Sequence, residues 1–170
     1  MKKIILISIS CLISIVVNSQ NGKKFDYEPS QFGSYLVSPV FDQTKGEGKL
    51  GQAFWSDNSY VTDLIYSIIK DVLSEEKLDS LHLGSGYIIT FNSKGEILNC
   101  KFSIKYEDKN VISENDLYNL YIRFKKIKID MSKVKIVSFF NHAEDKVLDY
   151  AEIFGSIIPL GNRDKFKKSK

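Results

Sequence analysis

The residues around Gly95 constrain the fold of this chain most strongly, because they predict a β-hairpin in the middle of the sequence. An apolar run at 87–91 is followed by a polar turn at 92–95 and a second run at 96–104. Gly95 supplies the left-handed backbone conformation that a short hairpin loop with a bulge requires. Four apolar side chains alternate with polar ones in the second run: Leu98, Cys100, Phe102 and Ile104. We therefore expect an antiparallel sheet with one buried face and one face open to water.

Two longer segments carry apolar residues at helical spacing on one side and polar residues on the other. Ser59 or Thr62 can cap the first helix, and Ser113 can cap the second, which has acids in its first turn. The first apolar stripe is Val61, Leu64, Ile65, Ile68, Ile69, Val72 and Leu73. The second is Leu117, Leu120, Tyr121, Phe124 and Ile127. The sequence thus predicts two main amphipathic helices.

Shorter elements are predicted in the rest of the chain. Ser74 can cap a short helix that directs Leu78 and Leu81 inward and ends at Gly84. Candidate strands are residues 34–38, 52–55, 134–140 and 147–154, the last of which can continue to 158. The final two strands lie on either side of a polar turn at 141–146.

The order of these elements favours the α+β class, with an antiparallel sheet and two main helices plus one short helix packed on one face. We predict a signal peptide at 1–19 and a glycine- and aromatic-rich extended segment at 20–58 that packs on the domain. An α+β core follows at 59–162, and a basic tail at 163–170 ends the chain. Without the signal, about 150 residues remain, which is a common size for one domain.

The first twenty residues have the three regions of a secretory signal peptide. Lys2 and Lys3 precede fourteen largely apolar residues from Ile4 to Val17, and a cleavage site near Ser19 follows. The alternative is a membrane anchor, but a bilayer span takes roughly 20 predominantly apolar residues. The high content of Ile, Lys, Asn and Ser is typical of bacterial proteins from AT-rich genomes. We therefore expect the mature chain in the periplasm or outside a bacterial cell.

Lipid attachment at Cys11 is a second form of the export hypothesis. Bacterial lipoprotein signals place an aliphatic residue three positions before the cysteine and end their apolar region there. Ser8 occupies that position, and the apolar stretch continues to Val17. Cleavage near Ser19 is therefore the preferred prediction. It leaves Cys100 as the one cysteine of the mature chain, where it can serve as a small buried hydrophobic residue without an internal disulfide.

The hairpin at 86–102, with Lys94 and Gly95 in its turn, and the helix from Ser113 resemble the C-terminal domain of the TonB energy-transducing proteins and of small envelope proteins built like it. That family has an apolar strand, a turn carrying Lys-Gly or Asp-Gly, a second strand and a helix that begins with a capping residue. The resemblance covers roughly half of the chain. It implies a fold and a habit of binding extended peptides at a sheet edge. It does not imply energy transduction, since TonB proteins carry a membrane anchor and a long proline-rich spacer, and this chain has three prolines.

Charge argues against two classes of partner. The whole chain has a formal charge of +3, and loss of the two signal-peptide lysines leaves about +1. A nearly neutral protein has no overall field to attract nucleic acid or anionic lipid. The basic side chains of the last eight residues are typical of a solvated tail.

No catalytic, cofactor or metal site is predicted. The two histidines, His82 and His142, are far apart in sequence, and Asp149 and Glu152 are the carboxylates that support His142 best. A zinc site needs several such ligands together. Ser85 lies between glycines but lacks the G-x-S-x-G pattern of a nucleophile elbow. Cys100 lies on the apolar face of its strand, where a thiol stays protonated.

Eight aromatic rings occur within 36 residues near the start of the mature chain: Phe25, Tyr27, Phe32, Tyr35, Phe41, Phe54, Trp55 and Tyr60. They can form a sugar- or peptide-binding surface, because rings give a large contact area at low entropy cost. They can equally be buried where the segment wraps the sheet, which is the interpretation we prefer.

These observations favour a non-catalytic exported domain that binds a peptide, another envelope protein or a second copy of itself through a sheet edge. The alternatives are a small secreted hydrolase and a protein that inhibits secreted enzymes. Neither nucleic acid nor a transmembrane helix in the mature chain is expected.

Overall fold

The computed structural model describes residues 22–45, 50–55, 58–138 and 149–157. The expected signal peptide, the turn at 141–146, His142 and the basic tail lie outside the described residues. Within them the strands are β1 (Phe25–Pro29), β2 (Ser34–Pro39), β3 (Leu50–Trp55), β4 (Gly86–Asn92), β5 (Ile97–Lys105), β6 (Val134–Ser138) and β7 (Tyr150–Ser156). The α-helices are α1 (Asn58–Val72), α2 (Glu75–Ser80) and α3 (Glu114–Phe124). Two 3₁₀ turns follow β5 and precede β6: Tyr106–Asn110 and Met131–Lys133.

All these strands belong to one sheet with the order β1-β2-β5-β4-β7-β3-β6. The first five in that order are antiparallel neighbours, and β3 then pairs parallel to β7 and antiparallel to β6. Apolar side chains of α1 and α3 join the core with the same face of the central strands. The predicted α+β class is therefore confirmed, and one parallel pair is added to the expected antiparallel sheet.

The expected arrangement of the last two strands is wrong in one respect. Both β6 and β7 form, but they are not neighbours, because β3 lies between them. The eleven residues from 139 to 149 connect them, whereas tight hairpins use loops of about 2–5 residues. A connection of that length can pass across an intervening strand. Strands of the segment at 20–58 and of the range 59–162 thus share one sheet.

The central hairpin of β4 and β5 forms as predicted, and Gly95 adopts a φ of 78°. Cys100, Phe102 and Ile104 are buried, but Leu98 is only half-buried, and Ile97 takes the core position instead. The pairing shifts here, because Thr90 pairs with Asn99 and Phe91 with Ile97. Leu98 is the extra residue of a β-bulge, which resets the alternation by one residue.

The two main helices form where the apolar period predicts them. The cap of α3 is a capping box, in which Ser113 Oγ accepts from Asp116 N at 3.2 Å and the Asp116 carboxylate accepts from Ser113 N at 2.9 Å. Helix α1 begins at Asn58. Ser59 and Thr62 therefore lie inside the helix and not at its cap, because Tyr60 also packs on the core and extends the apolar stripe.

Two helix ends differ from the prediction. Ser74 caps α2 as expected, but the helix ends at Ser80, well before Gly84. Leu81 leaves the helix with a ψ of 141° and becomes buried, so burial of this side chain ends the helix. Gly84, with φ of 107°, lies in the loop that follows. Ile127 lies beyond the end of α3 and is half-buried.

Candidate functional site

The face of the sheet opposite the apolar core is largely polar. Strand alternation places the side chains of Asp26 and Glu28 on this face of β1, and those of Asn99 and Lys101 on this face of β5. Glu152 of β7 joins them. The sequence predicted this face as the wetted side of β5, but it could not tell which other strands extend it.

Residues 39–45, which begin with the last residue of β2, form the wall of a groove of about 420 Å³ at one end of this face. We call it the open-face groove. Its floor is the polar face of β1, β2, β5, β4 and β7. Charged side chains from the wall and the floor line the groove. The amines are those of Lys45 and Lys101, and the carboxylates are those of Asp26, Glu28, Asp42 and Glu152. The lining thus holds four carboxylates and two amines, while Lys125 and Lys23 pair with Asp42 and Asp26 from outside it.

Side-chain contacts fix the wall of the groove. Asn99 Nδ2 donates to Thr44 O at 2.9 Å, which ties the wall to β5. The ring of Phe41 lies 5.6 Å from that of Phe25 and 5.0 Å from that of Tyr121. The wall is therefore held to the sheet on one side and to α3 on the other, so the groove exists before any ligand arrives.

Asp42 is the anchor between the wall and α3. Its carboxylate accepts hydrogen bonds from the Tyr121 hydroxyl and, at 3.2 Å, from Lys125 Nζ. Partial burial would raise the pKa of Asp42, but hydrogen bonds from Thr44, Tyr121 and Lys125 outweigh it and hold the pKa well below its usual value. Burial and this carboxylate raise the pKa of Tyr121. Asp42 is thus ionised and already partnered, so its role is to position the wall.

The groove ends at an edge of the sheet, since β1 pairs only with β2 among the described strands. Val40 N donates to Lys24 O at 2.9 Å, and Ser30 N donates to Ser34 O at 2.8 Å. In an antiparallel pair these contacts occur at every second residue. The backbone groups of Phe25 and Tyr27 therefore point away from β2. Pro29 is the last residue of β1 and has no N–H group.

His82 and Ser85, which the sequence analysis weighed for chemistry, meet at one buried carboxylate outside the groove. His82 lies outside the groove, where its ring Nδ1 donates to Asp108 Oδ1 at 2.7 Å. Asp108 is fully buried and also accepts from Ser85 Oγ at 2.6 Å. The serine thus bonds the carboxylate and not the imidazole, which is not the arrangement that activates a nucleophile. The hydrogen bond and charge of Asp108 raise the pKa of His82.

The remaining candidate residues from the sequence analysis lie at separate places in the fold. Cys100 is fully buried and burial raises its thiol pKa, which confirms its predicted role as a small hydrophobic residue. Glu152 lines the groove and Asp149 is exposed. Among the described residues, no three potential metal-ligating side chains converge. Of the aromatic rings, Phe25 is buried, whereas Phe32 is 80% exposed. Neither interpretation of the aromatic segment therefore holds for all its rings.

No family model and no curated protein matches this chain in sequence. Among solved structures, it is similar to the crystal structure of a DUF5043 family protein from Bacteroides uniformis ATCC 8492. The TM-score is 0.48 with 10% sequence identity, over 81% of this chain and 94% of that chain. No functional conclusion rests on a similarity of this size. In the described part of the chain, no helix is long and apolar enough to cross a membrane.

Proposed function

We propose that this chain is an exported, non-catalytic binding protein of the bacterial envelope that holds an extended, basic peptide segment along β1. The observation that carries the proposal is the open edge of β1 beside a preformed groove with an excess of carboxylates. The N-terminal signal pattern supports export to the periplasm or the medium. The resemblance to the TonB C-terminal domain implies the same habit of binding peptides at a sheet edge.

The edge of β1 offers a short row of backbone partners. The N–H and C=O groups of Phe25 and Tyr27 point outward, and an added strand gains affinity from such main-chain hydrogen bonds. Pro29 has no N–H group, so pairing ends there. We therefore expect a short paired segment of about four residues in the peptide, from the length of the strand and the spacing of its outward groups.

Charge selects the type of peptide. Alternate side chains of an added strand would lie on the open face beside Asp26 and Glu28. Asp26 is already 2.9 Å from Lys23 Nζ, but both side chains are largely exposed. An exposed pair of this kind contributes little, so a peptide lysine or arginine can replace Lys23 at small cost. A basic extended peptide therefore fits better than an acidic one.

The proposal is tested with two peptides and ¹⁵N NMR of the purified protein. A capped hexapeptide of alternating lysine and valine should shift the amide signals of residues 24–29, and its glutamate counterpart should not. Tyr27→Pro removes one outward N–H, whereas Tyr27→Ala removes the same ring and keeps that N–H. We expect Tyr27→Pro to bind about fivefold more weakly than Tyr27→Ala, the value of one net hydrogen bond. Equal affinities would exclude pairing at this edge.

The role of charge is tested separately. The double variant Asp26→Asn, Glu28→Gln should bind the basic peptide two- to fivefold more weakly, as expected for cross-strand charge pairs. Its affinity should also depend less on salt. Glu76→Gln, on the exposed side of α2, is the matched control and should bind like the wild type. If the control loses as much affinity as the double variant, the attraction is not local to the groove.

A further inference from the structure

A second exposed surface lies at the other end of the strands from the groove wall, around the turn between β1 and β2. We call it the tip patch, and it consists of Phe32, Leu83, Lys105, Tyr106 and Lys109. Phe32 at the turn is 80% exposed, Leu83 45% and Tyr106 42%. Isolated exposed apolar residues are ordinary, but these gather around one lysine side chain. Lys105 Nζ donates to Phe32 O at 3.0 Å, and its Cε lies against Gly84, next to Leu83.

The turn that carries Phe32 is braced from β5 and the 3₁₀ turn after it. Besides the Lys105 contact, Tyr106 OH donates to Ser30 O at 3.0 Å, and Tyr106 N donates to Gly33 O at 3.3 Å. Three carbonyl groups of a four-residue turn are thus held by one neighbouring segment. The turn holds Phe32 at a position where its ring is exposed to water and contributes little to the core. A backbone that is already held in place lowers the entropy cost of presenting this ring to a partner.

Two lysines lie beside the rings at this end of the sheet. Lys109 Nζ lies 5.0 Å from the ring centre of Tyr35 and 5.5 Å from that of Tyr27. Lys105 lies at the centre of the patch, and Asp108 raises the pKa of the exposed His82 nearby. Asp108 itself is buried and satisfied, and Glu107 is the exposed acid of the same turn. The patch therefore combines protruding apolar rings with a local excess of positive charge.

We infer that the tip patch docks this protein on an anionic lipid surface, with Phe32 and Tyr106 entering the interface and Lys105 and Lys109 facing phosphate groups. Aromatic rings favour the headgroup layer, where one side is apolar and the other wet. Each lysine near an anionic surface adds further attraction. The nearly neutral net charge of the chain means that the attraction comes from this patch and not from the whole molecule. The patch adjoins the proposed peptide site, because Lys109 Nζ lies 5.5 Å from the ring centre of Tyr27 on β1.

Vesicle sedimentation tests the inference. The protein should sediment with vesicles of one part phosphatidylglycerol to three parts phosphatidylcholine, and should stay in the supernatant with phosphatidylcholine alone. Phe32→Ser should lower partitioning about tenfold, as expected for loss of one large buried apolar side chain. Phe154→Ser is the matched control, since Phe154 is also exposed, at 53%, but lies on the sheet face. Both side chains are exposed, so unfolding curves should match the wild type.

Two more pairs of variants test the role of the lysine charge and the depth to which the Phe32 side chain enters the lipid. Lys109→Gln should weaken partitioning about fivefold, whereas Lys94→Gln, in the turn at the other end of the hairpin, should not. Lipids with brominated acyl chains should quench the fluorescence of the tryptophan introduced by Phe32→Trp. They should not quench that of the tryptophan introduced by Phe154→Trp. If the protein fails to bind anionic vesicles, or if Phe32→Ser and Phe154→Ser partition alike, the inference is overturned. That result would assign the patch to a protein partner or to none.

Discussion

The two faces of the same sheet differ in what holds them in place. On the helix-covered face, Phe91, Phe102 and Ile104 are almost fully buried and pack against α1 and α3. On the open face, Lys101 is exposed and Thr90 and Glu152 are half-buried beside the groove. Removal of apolar surface from water therefore stabilises the covered face. Substitutions of side chains on the open face should have little effect on the stability of the fold. This division leaves the open face available for binding.

The largest expected difference between the faces comes from neighbouring residues of β5. Phe102→Ala should lower the free energy of unfolding by about 4 kcal/mol, because it leaves a cavity under the Phe124 and Phe25 rings. Lys101→Ala, one residue away on the open face, should change it by less than about 0.5 kcal/mol. Urea denaturation of both variants measures the difference. Similar values for the two would show that the open face is covered in solution.

A buried polar residue of the 3₁₀ turn after β5 should respond like the core and not like the open face. Asp108 is fully buried and accepts bonds from His82 N at 3.0 Å, His82 Nδ1 and Ser85 Oγ. Asp108→Ala leaves these donors without a partner and should cost about 3 kcal/mol. Asp26→Ala removes an exposed carboxylate and should cost at most about 1 kcal/mol. Thermal and urea unfolding should rank the two variants in that order.

The smallest effect concerns the exposed partner of that buried carboxylate. Because the hydrogen bond and charge of Asp108 raise the pKa of His82, the protonated ring stabilises the folded state. This contribution is complete below the unfolded pKa of 6.5 and is lost as the pH rises through the higher folded pKa. The stability of the wild type relative to His82→Gln should therefore fall between slightly acidic and slightly alkaline pH. If the stability difference between the wild type and His82→Gln does not change over that pH range, the protonated His82 ring does not stabilise the folded state.

Local patterns were enough to predict the elements of the covered face. The glycine turn at Gly95, the cap at Ser113 and the helical stripe through Ile65 and Ile69 each depend on residues close in sequence, and all three form. The exception at Leu98 has a physical reason, because a bulge adds one residue to the alternation and no periodicity signals it in advance.

The open face could not be predicted in the same way. Its groove needs Asp26, Asn99 and Glu152 on one face, and these lie on strands that are far apart in the chain and separated in the sheet by β2 and β4. Which strands become neighbours depends on topology, and polar side chains in water give no periodic signal that fixes it. The insertion of β3 between β6 and β7 is a further result of this kind. The tip patch likewise depends on contacts between Phe32 and Lys105, 73 residues apart.

The position of β7 has a consequence for how the chain is completed during synthesis. It is the last described strand in sequence, yet it lies inside the sheet and joins the five antiparallel strands to the pair of β3 and β6. Until β7 has left the ribosome, β4 and β3 each lack a neighbour on one side and present open edges. A nascent chain stalled before that point would carry two surfaces prone to pairing with other chains. Emergence of β7 is thus the step that joins the two parts of the sheet.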